Sequence, residues 1–382
     1  MSAAPVLLPN TAESQMDDLL SRVCEEIQLS PTRYQQAVDR YMTVCEWLEA
    51  EGPVASFRPS LYPQGSMRIG TTNKPFGRDE YDLDFVCEFL VSPALFSSPM
   101  ELLKLLESRL LQHKIYAAIL ERKNRCIRLN YANEFHMDIL PACSDSSSGI
   151  GCVVVPDRES RWWKHSNPKG YATWFDQCCQ LAVHVMMAER ARIMAKAEPV
   201  PEQEIAAEKA ILKRVVQLLK RWRDLYYAKH CELAPISMVL TTLAASCYRG
   251  QRSTSRAISD ILAQMVAMAE AAKPRIYVLN PANPKEDLSE RWEDPEQYAA
   301  FVSGIRELQR DWTRAMALVG MQHVSKALEK LFGDPVKAAL AKQANRLQEL
   351  RGQSALRVTP AGIITAAPAI SVPMRRNTFH GK

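Results

Sequence analysis

No apolar run in this chain of 382 residues is long enough to span a bilayer. The first fifteen residues also lack the basic stretch and apolar core of a secretory signal. Neither a membrane-spanning nor an exported protein is expected. Charge of one sign is not in excess: the formal net charge of +5 suits an anionic substrate such as a nucleotide. The same charge balance does not favour the basic track interleaved with aromatics that a long nucleic-acid ligand would require. The ten cysteines are scattered along a chain large enough to bury its own core. A disulfide scaffold is therefore excluded, and reduced thiols in the cytoplasm are expected. There is no internal repeat. What is present is ordinary for a globular chain, 47% hydrophobic and 24% charged, with room for one or two domains.

Apolar positions keep a helical period from residue 11 to 51, broken at Pro31, where Ser30 is placed to cap a second helix. Residues 52 to 79 turn irregular and rich in Pro, Gly, Ser and Arg. A β-rich stretch follows, with residues 81 to 89 alternating. Residues 125–131 and 134–140 read as a hairpin through Ala132-Asn133, and a leucine-rich helix spans 100–113 between them. From residue 167 onward helical patterns dominate, near 170–196, 202–229, 236–248, 254–272, 295–318 and 322–350. Asn280-Pro-Ala-Asn-Pro284 reads as a loop. Residues 359–382, rich in Ala, Pro and Thr, read as a tail without period. The expected fold class is α+β, as three parts: N-terminal helices with a catalytic lobe (1–165), a helical lobe (166–358) and the tail (359–382).

The chemistry concentrates in Tyr62-Pro-Gln-Gly-Ser-Met-Arg-Ile-Gly70 and Asp79-Glu-Tyr-Asp-Leu-Asp-Phe-Val86. Strand alternation points Asp82 and Asp84 one way and Leu83 and Phe85 into a core. Two carboxylates about 7 Å apart on one strand face repel unless a cation bridges them. Mg²⁺ takes oxygen ligands and leaves positions open for phosphates. Two such ions can hold the attacking and leaving oxygens of a phosphoryl transfer. Asp138 in Phe135-His-Met-Asp-Ile-Leu140 is a lone acid in an apolar strand and the candidate third ligand. Alone, an Asp-x-Asp pair fits a solvated strand face better than a metal site. Gly65-Ser66, sixteen positions before Asp82 and behind Gln64, supplies a phosphate-binding element and shifts the reading towards chemistry. In the helical half, Ile211, Leu212, Val215, Val216, Leu218, Leu219 and Trp222 share one face, with Lys213 and Lys220 on one stripe at its edge. There the lysines either meet a shared anion or stay solvated.

The order Gly65-Ser66, Asp82-Leu-Asp84, Asp138 resembles the polymerase-β-like nucleotidyltransferases, and within them the bacterial cGAS/DncV-like enzymes. Trp163-Lys-His-Ser-Asn-Pro-Lys-Gly-Tyr-Ala-Thr-Trp-Phe175 resembles that family's link into its helical lobe. Leu212-Lys-Arg-Val-Val-Gln-Leu-Leu-Lys-Arg-Trp-Arg-Asp224, with Pro235-Ile-Ser237, resembles its triphosphate-binding helix and serine. The match covers roughly residues 55 to 300. It implies a polymerase-β-like palm, a C-terminal helical lobe and an active site between them. It implies catalytic Asp82, Asp84 and Asp138 holding two Mg²⁺ ions, with Mn²⁺ as an alternative. Gln64, Gly65, Ser66, Lys213, Lys220 and Ser237 would bind nucleotide. The implied function is synthesis of a cyclic di- or trinucleotide messenger from ATP, GTP or other triphosphates in antiviral signalling. A linear oligonucleotide synthase or RNA-end transferase of the same superfamily is the alternative. Cys178-Cys179 with His165 and His184 invites a zinc reading because an animal relative carries a Cys-Cys zinc clip. The spacing does not form a closed four-ligand set, so packed cysteines are expected.

The end of the tail, Arg375-Arg-Asn-Thr-Phe-His-Gly-Lys382, resembles bacterial tails gripped by an E1/E2-like partner. Such a partner, or another activating protein, is therefore expected, with Phe379-His-Gly381 as the recognition element. Pull-down of the E1/E2-like partner should succeed with the full chain and fail after deletion of residues 372–382; equal capture would end that idea.

Overall fold

The computed structural model describes residues 12–76, 80–132, 134–181 and 209–353, with the short pieces 357–358, 364–365 and 372–373. The first helical pattern divides, as its proline requires, into α1 (Ala12–Ile27) and α2 (Pro31–Glu49). Ser30 caps α2, its hydroxyl accepting the Arg33 N–H at 3.3 Å, and Pro31 fills the first helical position. This break also separates two cores. Leu19, Leu20, Val23 and Ile27 of α1 pack into the helical core, whereas Ala37, Tyr41, Val44 and Leu48 of α2 pack on the sheet. The division at 165/166 groups α1 with the catalytic lobe by chain order, but its apolar face is buried with the later helices.

The sheet is built from β1 (Pro59–Pro63), β2 (Tyr81–Phe89), β3 (Leu120–Arg122), β4 (Ile127–Tyr131), β5 (Phe135–Ser144), β6 (Val153–Asp157) and β7 (Trp162–Ser166). Its order is β1-β2-β5-β4-β3, with β6 joining β5 to β7. β2 and β5 run parallel; β1 is antiparallel to β2, and β4 to both β3 and β5. Leu83, Phe85, Met137 and Ile139 are at most 1% exposed and lie under α2 and the helix Pro99–Leu111 (α3), whose Leu102, Leu103, Leu106 and Leu110 are buried. Tyr41 stacks on Phe85 with ring centroids 4.2 Å apart. Burying one sheet face leaves the alternate residues, the acids among them, on the other.

The hairpin differs from its expected form by one residue. A turn of only Ala132-Asn133 would pair Tyr131 with Glu134, but the register pairs Tyr131 with Phe135. Because strand side chains alternate, that slip decides what faces Asp138. It puts Arg128 directly opposite.

Beyond the sheet come α4 (Pro168–Gln180), α5 (Ile211–Tyr226), α6 (Ser237–Cys247), α7 (Thr254–Ala271) and α8 (Pro295–Ala317). The expected single helix over 322–350 is two, α9 (Met321–Phe332) and α10 (Pro335–Gly352). Gly333 takes φ +76° and Pro335 starts the second helix, a stop and start that a period count passes over. The segment read as a loop around Asn280 is a small hairpin, β8 (Leu279–Asn280) with β9 (Asn283–Asp287). In the tail, Ile364–Thr365 and Val372–Pro373 each pair with Arg357–Val358, pieces too short to leave a periodic signal. The tail's end, residues 374–382 with Phe379-His-Gly381, lies outside the described residues, as do His184 and the remainder of the 170–196 and 202–229 patterns before residue 209. Among the described residues no helix is long and apolar enough to cross a membrane.

Candidate active site in the cleft between sheet and helices

The polar face of the sheet opens into a cleft of about 770 Å³, within the usual range for small-molecule sites. Gly65, Ser66, Asp82 and Asp84 line it from the sheet side, and Lys220, Arg223 and Ser237 from α5 and α6. The acids meet because β2 and β5 are parallel neighbours: Asp84 is in register with Asp138, and Asp82 with His136. Three carboxylates thus share one end of two adjacent strands.

Their electrostatics show the cost. Burial first, then the charges of Asp138 and Asp82, pushes the Asp84 carboxyl up to about 7. Arg128 relieves the other two. Its Nε donates to Asp138 Oδ1 at 2.6 Å and its Nη2 to Asp138 Oδ2 at 2.8 Å, while Nη2 also lies 3.1 Å from Asp82 Oδ1. Among the described residues, no three His, Cys, Asp or Glu side chains are gathered closely enough to hold a metal ion. The donor set nevertheless fits a hard divalent cation: three carboxylates, one pushed towards neutrality by burial and then by its acidic neighbours, and a guanidinium acting as stand-in cation. His136, on the same face, pairs with Glu80 at 3.2 Å, and Glu80 itself lines the cleft.

The Gly-Ser element sits on the short helical turn Gly65–Arg68, with Gln64 at its cap. The Gln64 N–H donates to the Asp84 carbonyl at 2.8 Å and fixes the turn to β2. Gly65 has φ +56°, and a Cβ there would stand 2.8 Å from Asp84 Oδ2. Only glycine lets the backbone lie over that carboxylate. Gln64 faces an adjoining smaller cavity, where Arg68, itself bonded to Asp176 at 3.1 Å, is a neighbour.

Residues 71–73 strap the sheet side to α5. Lys220 Nζ donates to the Thr71 carbonyl at 2.9 Å, Gln217 Nε2 to that of Thr72 at 2.8 Å, and Asn73 Nδ2 to that of Gln217 at 2.9 Å. Burial draws the Lys220 ammonium down to about 8, with Asp224 and Asp84 opposing. An ammonium has three donors, so Lys220 keeps capacity for an anion. Lys213 is not brought to the same place. Its ammonium lies beside Gly70 at the start of the strap, outside the cleft lining. Ser237 accepts from Arg223 Nη1 at 3.0 Å, and Arg223 pairs with Asp224 at 3.1 Å.

Sequence reasoning passed over Arg128, Arg223, Asp224 and the strap 71–73. Arg128 was recoverable from the hairpin had its loop been counted as three residues. The strap has no local signal, since its partners lie over 140 positions away. Cys179 is a buried thiol in the helical core, with Cys178 packed against it, and His165 faces Asp145 at 3.5 Å.

Two outcomes test this geometry. Gly65→Ala should lower the melting temperature by several degrees, as about 1–2 kcal/mol of backbone strain demands, and depress kcat; differential scanning and steady-state rates check both. Asp84 binds its proton more tightly folded than unfolded, so in the metal-free protein the stability that this group contributes is lost as pH rises from about 4 through about 7. In EDTA, Asp84→Asn should melt close to wild type at pH 4 and several degrees higher at pH 8. A difference that does not change with pH would remove the assigned environment.

Comparison with known proteins agrees with this fold. Residues 14–178 match the Second Messenger Oligonucleotide or Dinucleotide Synthetase domain. The chain is 32% identical over 381 residues to a c-di-GMP synthase of Roseivirga ehrenbergii, covering 98% of this chain and 100% of that one. It is 30% identical to the cyclic dinucleotide synthase CdnG of Bradyrhizobium diazoefficiens, covering 93% and 90%. The solved structure of that CdnG with GTP superposes with a TM-score of 0.69 at 23% identity, over 87% of this chain and 98% of the other. Vibrio cholerae DncV, a cyclic AMP-GMP synthase, shares the fold with a TM-score of 0.53 at 16% identity, over 84% and 85%. The chain therefore belongs to the bacterial cGAS/DncV-like nucleotidyltransferases, enzymes that join nucleoside triphosphates into cyclic oligonucleotides.

Proposed function

We propose that this enzyme condenses two molecules of GTP into a cyclic dinucleotide, with Asp82, Asp84 and Asp138 as its catalytic acids. The observation that carries the reading is the parallel register of β2 and β5, which sets Asp138 beside Asp84, itself a residue that lines the cleft. The choice of guanine is supported by the c-di-GMP synthase that matches the whole chain.

The family generally depends on a divalent cation, and the three acids are the residues that would hold two Mg²⁺ ions, or Mn²⁺ in their place. Bound there, the ions supply Lewis acidity and charge neutralisation at the attacking and leaving oxygens. Ser66, Lys220 and Ser237 line the cleft on opposite sides and would hold the donor triphosphate between them. The backbone at Gly65 can approach a phosphate because it carries no side chain. Gln64 serves by fixing this turn to β2 through its N–H. Lys213 lies beside Gly70, next to the strap and outside the cleft lining. The acceptor ribose hydroxyl oxygen attacks the donor α-phosphorus in line. The bond to pyrophosphate breaks as the new phosphodiester forms, and holding both nucleotides in one cleft supplies most of the advantage. A second round on the linear intermediate closes the ring.

A role in antiviral signalling, an activating protein and capture of the tail by an E1/E2-like partner belong to the same proposal. They rest on the resemblance of the motifs and of the tail sequence.

Labelled GTP and Mg²⁺, followed by phosphatase and mass analysis, should give phosphatase-resistant label with the mass of a cyclic dinucleotide. Asp82→Asn and Asp84→Asn should each reduce it at least about 100-fold while circular dichroism stays native. Product made only from ATP would overturn the guanine assignment, and synthesis retained by both variants would overturn the acids.

A further inference from the structure

The cation now paired with the acids is one the reaction scheme does not use. Arg128 spends two donors on both oxygens of Asp138 and shares one of them with Asp82. It is largely covered, at 18% side-chain exposure, so the pairing is not a solvated surface contact. A divalent cation bound by Asp82 and Asp138 would sit within a few ångströms of this guanidinium, and like charges at that spacing repel strongly. The arginine and the metal therefore compete for the same two carboxylates.

A second acid stands ready on the other side. β4 lies between β3 and β5, and Arg128 is in register with Asp138 on β5 and with Glu121 on β3. Residues in register across neighbouring strands share a sheet face with Cβ atoms about 5 Å apart. Glu121, Arg128 and Asp138 thus form one transverse row. Glu121 is open to solvent, with its carboxylate bonded to Lys123 Nζ at 2.6 Å and Asn130 Nδ2 at 3.2 Å. A flexible lysine is readily exchanged for a guanidinium fork, because arginine binds a carboxylate through two parallel bonds.

We propose that Arg128 is a two-position residue: it neutralises Asp138 and Asp82 when no metal is bound, and moves across the row to Glu121 when the cation enters. Arg128 is then a positioning residue that keeps three mutually repelling acids together in the empty enzyme. Glu121 sets how readily it lets go. The inference rests on the assignment of metal binding to the triad, and goes beyond it by naming what must leave.

Mn²⁺ titration of the nucleotide-free enzyme, by calorimetry and by paramagnetic resonance of the free ion, tests it without reference to turnover. Arg128→Met should bind Mn²⁺ at least about fivefold more tightly than wild type, and Glu121→Gln at least about fivefold more weakly. In the Arg128→Met background, Glu121→Gln should have no effect, because the residue it receives is gone. The metal-free Arg128→Met protein should also melt below wild type and recover with Mn²⁺. If that protein does not fold, Arg128→Lys, which keeps the charge but loses the fork, should give a smaller gain in Mn²⁺ affinity of the same sign. Unchanged or weaker Mn²⁺ binding in the arginine variants would overturn the proposal while leaving the triad reading intact, provided Asp84→Asn still abolishes binding. A Glu121→Gln effect of equal size in both backgrounds would overturn Glu121 as the receiver. If Asp84→Asn binds Mn²⁺ like wild type, both readings fall.

Discussion

Three carboxylates forced together by strand register are the constraint from which the rest of this site follows. β2 and β5 run parallel because the chain leaves the sheet after Phe89, passes through α3, re-enters at the far edge as β3 and folds back through β4 until β5 lies beside β2. Strand alternation then commits Leu83, Phe85, Met137 and Ile139 to the core and Asp82, Asp84 and Asp138 to the opposite face of the sheet. The hydrophobic burial that stabilises the sheet is what compels the acids to face one another. Burial, and after it their repulsion, raises the Asp84 carboxyl, and Arg128 relieves Asp138 through two hydrogen bonds.

The helical side answers with positive charge placed by packing rather than by local sequence. α5 buries Leu212, Val215, Val216, Leu218 and Leu219, which orients Gln217 and Lys220 towards the strap 71–73. The strap joins the two sides of the cleft through backbone carbonyls, so the spacing between Gly65-Ser66 and Lys220 does not depend on side-chain reach alone. α1 adds to this by burying its face among the later helices although it precedes the sheet in sequence.

Much of this was legible in the sequence, for identifiable reasons. The strand and its acids could be read because alternation is strict over residues 81–85 and the third acid stood alone among apolar neighbours. Ser30-Pro31 gave the helix break because a cap and a fixed φ are local properties. Where the reading fell short, non-local information was needed. One extra residue in the 132–134 loop changed the register and brought Arg128 against Asp138. Lys213 and Lys220 share a helical stripe, but Lys213 lies beside Gly70 whereas Lys220 bonds the Thr71 carbonyl, and of the two only Lys220 lines the cleft. Gly333 and Pro335 split a helix whose apolar period runs through the break.

The central claim is that these three acids gather cations and nucleotide in one place. A crystal structure with Mn²⁺ and a non-hydrolysable GTP analogue addresses it most directly. Anomalous difference density should appear among Asp82, Asp84 and Asp138, with the triphosphate over Gly65-Ser66 and within reach of Lys220. Manganese bound elsewhere, with the acids still closed on Arg128 and the triphosphate away from Ser66, would contradict the account.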